Sequence, residues 1–480
     1  MSEDICYADA TELAQRIRSK SLSPVEVMSA FLGRIEAVNP KLNAVVTVAE
    51  DAMDRARGAE ESVARGDVLG PLHGVPFTIK DCIDTEGVLT TRGSKLFKDR
   101  VPEVDAPVVK RLKDAGGIMI GKTNMPEFAL WWETGNAVFG RTENPWKAGR
   151  TTGGSSGGEA AALAAGLSPF GVGSDVGGSI RQPAGFCGVV GLKATHGRFP
   201  LTGHWPETLL RYMHVGPMAR SVRDIDLGLS VMSGSDGIDP YAGALPPYGG
   251  SALGVSMRGT RIGWCAEGPF APVAREVQDT VARAASAFEG LGCEVEPTSL
   301  DSWTALDPQQ LTITIYAAEG SHYLKPFVAG REEELSLPMH RRMAWPAPEF
   351  SDYLDALQDV ERLKQATATL FDRYELLLCP SAPIPANPHD PISLDAGIAD
   401  FPPSTIAVDG QQVAGRNALR ATIPADFTGS PAISVPFGWS NDGLPIGVQL
   451  IGPHMAEAAL LQAASALERL GDTAGRRPPV

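Results

Sequence analysis

Apolar residues recur at three- and four-residue intervals from Val25 to Val38, at Val25, Met28, Phe31, Leu32, Ile35 and Val38, which puts them on one face of a helix. Its start is signalled by Ser23-Pro24-Val25-Glu26: a capping serine, a proline at the first helical position and a glutamate three residues after the serine. Asn43 to Ala49 is short and β-branched and predicts a strand; Asp51 to Ala64 is alanine-rich and charged and predicts a helix. From Gly70 the texture changes. LGPLHGVPFTIKD, GGIMIGKTNMP, TTGGSSGGEAAALAAG and GFCGVVGLKATHG are compact apolar or glycine-rich segments, with a helical run from Ala106 to Ala115 among them. Apolar strands alternating with helices predict an α/β sheet covered by helices. Between about 308 and 378 the pattern turns charged and helical, as an insertion carried on the sheet. The chain then returns with PAISVPFG and GLPIGVQLIG, two strand candidates, and the amphipathic run EAALLQAASALERLG.

Composition narrows the function classes. Of 480 residues, 42 are basic and 57 acidic, so the formal net charge is 42 − 57 = −15, and such a surface repels nucleic acid and anionic membranes. The six cysteines show no CxxC pair and no histidine at metal-ligand spacing, which predicts reduced thiols and neither a metal nor a cofactor. The opening MSEDICYADATELAQ carries acids where a secretory signal has a basic end, and no segment supplies the roughly 18 apolar residues of a membrane span. A cytoplasmic protein is expected.

The chemistry turns on GGSSGGE, residues 153–159, and on GSDVGGSIRQP, which follows from Gly173. A flexible linker is excluded by context, because EAAALAAG follows at once and puts the glycines at a helix start. A phosphate loop is poorly supported too. The formal Walker match, Gly116 to Thr123, has bulky apolar residues at its centre, which make a strand, and GGSSGG offers no lysine. A catalytic serine remains. Val176-Gly177-Gly178-Ser179 can offer successive N–H groups to an oxyanion. All eight histidines lie outside both glycine clusters, so a Ser-His-Asp arrangement is open in space but has no sequence support. Lys80, at the end of the apolar strand GVPFTIK, is the other candidate base; acting near neutral pH requires its pKa to fall by about 3 units. Spacing alone does not select it.

GVPFTIKD around Lys80, GGSSGGEAAALAAG from Gly153 and GSDVGGSIRQPAGFCGVVGLKATHG from Gly173 together resemble the signature region of the amidase signature family of serine hydrolases. The likeness continues through GPMARSVRD and the two late strand candidates, and so spans nearly the whole chain. It implies one amidase domain over 1–480: a single large mixed sheet with helices on both faces, an N-terminal helical region (1–66), a signature core (67–235), the helical insertion (308–378) and a return to the sheet (379–480). It also implies a triad of Ser179 as nucleophile, Ser155 as bridge behind a cis peptide bond, and Lys80 as base. The amides of Val176, Gly177, Gly178 and Ser179 would form the oxyanion hole, and Ser156, Asp175 and Arg181 would support the loops.

The expected ligands are a small amide and water, with no nucleic acid or membrane partner, and the chain is expected to work as a monomer or homodimer. Met125, Phe128 and Trp131 are the candidate substrate contacts, with Trp132, Trp205, Tyr212, Met213, Met343 and Trp345 as further cleft candidates. These favour hydrophobic or aryl amides, extending to carbamates or esters. The alternative is the glutamine-hydrolysing component of a tRNA amidotransferase complex. A tyrosine- and serine-rich glutamine segment expected of that component is not evident in residues 307–348. Asp426 stands where many relatives have asparagine.

Overall fold

The computed structural model describes residues 2–243, 245–250, 253–390 and 404–480. Part of the predicted return to the sheet, residues 391–403, therefore lies outside the described residues. The capping box forms as its sequence dictates. Ser23 Oγ accepts from Glu26 N–H at 3.0 Å, Glu26 Oε2 accepts from Ser23 N–H at 2.8 Å, and the helix runs Pro24–Leu42. The strand and helix expected after it occupy Val45–Val48 and Ala52–Arg65.

One mixed sheet of eleven strands organises the chain. Across it lie Val45–Val48, Ile118–Thr123, Pro76–Lys80, Phe170–Asp175, His214–Ala219, Val190–Lys193, Ala432–Trp439, Pro445–Ile451, Leu376–Pro380, Arg261–Trp264 and Glu294–Pro297. Pro76–Lys80 is parallel to both neighbours, and all five of its residues are buried, which its unbroken apolar run anticipates. The central strand Phe170–Asp175 is parallel to that strand and antiparallel to His214–Ala219. The Walker-like segment is indeed a strand; Lys122 is buried and donates to Ile83 O and, at 3.1 Å, to Thr85 Oγ1. The late strands Ala432–Trp439 and Pro445–Ile451 pair with each other, and the first also pairs with Val190–Lys193. The sheet thus joins distant parts of the chain.

Where the insertion was expected, the helices Pro308–Val328, Leu337–Met343 and Phe350–Arg373 form. The pattern did not reveal the strand Arg261–Trp264 and the edge strand Glu294–Pro297 beside it, or the hairpin of Thr405–Val408 and Gln411–Ala414. Glu294 and Glu296 are exposed, so the outermost strand reads as a charged loop. All six cysteines are free, five of them buried. Among the described residues, no helix is long and apolar enough to cross a membrane.

Candidate active site

The lysine strand delivers Lys80 into the interior, where the residue is wholly inaccessible. Its Nζ lies 2.7 Å from Ser155 Oγ, 2.9 Å from Ser174 Oγ and 3.3 Å from Ser174 O. Burial pulls the ammonium down to about 8, a fall partly opposed by Cys82, Asp175 and Glu159. A neutral amine has two N–H donors and one lone pair. With the Ser174 hydroxyl and carbonyl taking the donors, the lone pair is left for the Ser155 O–H.

Ser155 is held in place from two sides. The helix Gly157–Ala164 begins directly after it, and a Cβ at Gly158 would overlap the backbone of Asn124, whose carbonyl accepts the Gly158 N–H at 3.2 Å. The Gly154–Ser155 peptide is cis, as the resemblance implies. Ser156 Oγ donates to Ser174 O and accepts from Ser174 N–H, both at 3.3 Å. Beneath the lysine strand sits a carboxyl that sequence reasoning overlooked. Glu159, buried and pushed up to about 7 by its burial, accepts from Thr123 Oγ1 at 2.8 Å and from Thr78 Oγ1.

The second glycine cluster turns from the end of Phe170–Asp175 into the helix Arg181–Cys187. Ser179 sits on this turn, 6% exposed where it faces the cleft, and its carbonyl accepts from Ser156 N–H at 3.1 Å. That backbone bond clips the two glycine clusters together. Asp175 Oδ1 accepts from Gly178 N–H at 2.6 Å and its Oδ2 from Ile180 N–H at 3.0 Å, so the carboxylate shapes the loop. Burial alone would raise Asp175, but the Arg181 charge and hydrogen bonds outweigh it and hold the carboxyl well below the usual range. From the opposite side Thr422 Oγ1 donates to Gly177 O at 2.9 Å, and Tyr316 O–H donates to Val176 O.

Ser179 opens into a chamber of about 110 Å³ whose walls include Trp131, Trp132 and Trp345. Outside it, a vestibule of about 650 Å³ shares those indoles and reaches the hairpin at Gln412–Ala414. Trp131 thus lines the chamber. Met125 and Phe128 do not: both are fully buried, Met125 in the main core and Phe128 in a satellite cluster with Trp205 and Leu324, so neither lines the chamber. Tyr212 and Met213 are core residues too. The helix Pro308–Val328 supplies walls that sequence reasoning missed, namely Gln309, Thr312, Ile313 and Tyr316, at helical spacing along one face. So does Arg342. The residue is 6% exposed; among the described residues its Nε has no hydrogen-bond partner, and its one side-chain bond is a long one, 3.4 Å to Tyr316 O.

A family model described as Amidase matches residues 26–461. The A component of the glutamyl-tRNA(Gln) amidotransferase of Moorella thermoacetica is 37% identical, over 99% of both chains. A chain of a solved structure described as a vestigial protein complex that reveals the evolutionary origins of an s-triazine catabolic enzyme superposes with a TM-score of 0.87 at 33% identity, covering 98% of this chain and 100% of that one. A bacterial aryl acylamidase gives 0.87 at 27% identity, covering 98% and 99%. The chain belongs to the amidase signature family of enzymes. The expectation of a monomer or homodimer meets a conflict here, because the Moorella relative is named as one component of a larger enzyme.

Proposed function

We propose that the chain hydrolyses carboxylic amides through an acyl-enzyme, with Ser179 as nucleophile, Ser155 as bridge and Lys80 as base. The observation that carries the reading is the 2.7 Å bond between Lys80 Nζ and Ser155 Oγ, in a site whose burial leaves a useful fraction of the lysine neutral. Lys80 takes the Ser155 proton as Ser155 takes that of Ser179, and Ser179 Oγ attacks the amide carbon. The oxyanion is received by the amides of Val176, Gly177 and Ser179; the Gly178 N–H, expected from the sequence to join them, is instead taken by Asp175 Oδ1. On collapse the C–N bond breaks, and the proton returns along the relay to the departing amine. Water then repeats the attack on the acyl ester and releases the acid.

The indole walls suit hydrophobic or aryl amides, with carbamates and esters of the same shape as further substrates. Arg342 adds a second requirement. A buried guanidinium without a carboxylate partner is costly, so a substrate bearing a carboxylate, or another strong acceptor, offsets that cost on binding.

A second reading, glutamine hydrolysis as one component of a tRNA amidotransferase, is favoured by the name and full-length coverage of the Moorella relative. Arg342 could meet the glutamine carboxylate, but among the described residues no Asp or Glu lines the chamber to meet its ammonium. The test is a substrate panel on the purified chain alone: glutamine, primary amides, anilides with and without a carboxylate, carbamates and esters. Turnover of anilides without other proteins supports the first reading, and glutamine hydrolysis that needs the other amidotransferase components supports the second. In the first case Arg342→Leu should raise KM about tenfold or more for the carboxylate-bearing anilide and leave the neutral one nearly unchanged.

A further inference from the structure

Behind the Ser179 loop lies a cluster of ionisable side chains that the acyl transfer does not use. Asp175, Arg181 and Asp426 are all wholly buried, and Arg181 Nη2 donates to Asp175 Oδ1 at 2.9 Å and to Asp426 Oδ2 at 2.7 Å. Two carboxyl groups therefore share one guanidinium nitrogen and lie within hydrogen-bonding reach of each other. Both ionised, they would repel; a proton on one converts the repulsion into a hydrogen bond.

The two acids are not equivalent. Asp175 accepts from Gly178 N–H, Ile180 N–H and Arg181 Nε as well as Nη2, so its negative charge is the better stabilised of the two. Among the described residues, Asp426 has a donor on Oδ2 alone, and its Oδ1 is buried without a hydrogen-bond partner. The proton belongs on Asp426. Burial, reinforced by Asp175 although opposed by Arg181 and Lys193, pushes this carboxyl well above the usual range.

On the far side of Asp426 waits a different donor. Lys193 Nζ donates to Ser430 O at 2.6 Å and lies 3.2 Å from His214 Nε2. While Lys193 is an ammonium it can only donate, so Nε2 then accepts and the ring proton sits on Nδ1. That Nδ1 is also unpartnered, 3.7 Å from Asp426 Oδ1, too long for a hydrogen bond. Burial and Lys193 keep the His214 ring neutral, and burial draws Lys193 down to about 7. His196 stacks edge-on against His214 at 5.2 Å, and from the helix Pro308–Val328 the buried Tyr316 hydroxyl faces the two carboxyl groups.

We propose that Asp426 is a positioning residue that works as a neutral acid: protonated, it bonds Asp175 and steadies the Val176–Ser179 loop; ionised, it turns to the Nδ1–H of His214 and slackens that loop. The transition releases one proton from Asp426 to solvent and breaks no covalent bond other than its O–H. Asparagine reproduces the first state, since its amide N–H can donate to Asp175 and its oxygen accept from Arg181, but it cannot ionise.

The effect on turnover rests on the proposed function, so the experiment has two arms. In the first, kcat is followed against pH on an anilide for the wild type and for Asp426→Asn. Wild-type kcat should decline at alkaline pH, and the variant should stay within about threefold of wild type at neutral pH and lose that decline. The same decline in both, or a variant about a hundredfold slower at every pH, overturns the proposal.

In the second arm, infrared difference spectra of the unmodified chain should show a carboxylic-acid C=O band at neutral pH that disappears on alkaline titration and is missing in Asp426→Asn. A wild-type spectrum without that band overturns the proposal whatever the variant does. This arm needs no turnover. A chain that hydrolyses nothing yet shows the titrating band refutes the proposed function and upholds the proton on Asp426, whereas a chain that turns over without the band refutes this inference alone.

Discussion

Lys80 is the residue on which the chemistry depends most, because its useful state is the uncharged one. Burial lowers it from its ordinary value to about 8, so its neutral fraction grows as pH rises through that region. Turnover should therefore climb from mildly acidic to mildly alkaline pH, each unit below about 8 costing about tenfold in the active form. A kcat profile with its maximum at acidic pH would reject Lys80 as the base. Ser179→Ala removes the attacking oxygen and leaves the loop backbone intact, so kcat should fall by about a thousandfold or more while the circular dichroism and melting temperature stay near wild type. Retained turnover of an anilide by that variant would move the nucleophile elsewhere.

At the scale of elements, the Ser179 loop owes its shape to residues without side chains and to neighbours that leave no spare room. Gly178 has φ +114°, a backbone conformation reserved in practice for glycine, and a Cβ there would overlap Thr422 Oγ1, the group that donates to Gly177 O. Gly178→Ala should therefore lower kcat by about a hundredfold with a smaller change in KM, since it displaces oxyanion donors more than the chamber walls. Steady-state kinetics beside a thermal melt would separate that effect from unfolding.

The same elements show what the sequence could and could not reveal. The helix from Pro24 was legible because its cap is local, and the lysine strand because it is short, apolar and buried throughout. Both glycine clusters were legible as shaped loops, but the pairing of Lys80 with Ser155 was reached only through the family likeness, since the two are 75 positions apart. The helix Pro308–Val328 hid its cleft face because Leu311, Ile315, Leu324 and Val328 are buried on another side, and a helix covered on two sides shows little amphipathic contrast. Met125 and Phe128 misled for a related reason. Large apolar side chains beside a site serve the core as readily as the substrate, and composition does not tell these uses apart.

The whole molecule is a single sheet threaded by both halves of the chain, and this decides how the site can be divided. The region 67–235 carries Lys80, Ser155 and Ser179, yet its strand Val190–Lys193 needs Ala432–Trp439 as an antiparallel neighbour. Arg181, buried at the heart of that region, is satisfied from outside it by Thr422 O at 2.7 Å, Gln449 Oε1 at 2.8 Å and Asp426 Oδ2 at 2.7 Å. Separating the halves would leave a buried guanidinium with two of its nitrogens short of acceptors and a sheet edge open in the middle of the core, a loss of several kcal/mol against a total stability of about 5–15 kcal/mol. A fragment of residues 1–235 should accordingly be digested by trypsin as fast as an unfolded chain and show no turnover, although every proposed catalytic group is present in it. Co-expression with residues 236–480 should restore protease resistance and activity together, because the second fragment returns both the strand and the acceptors. A protease-resistant, active 1–235 fragment would show that the signature region folds on its own and that the late strands only cover it.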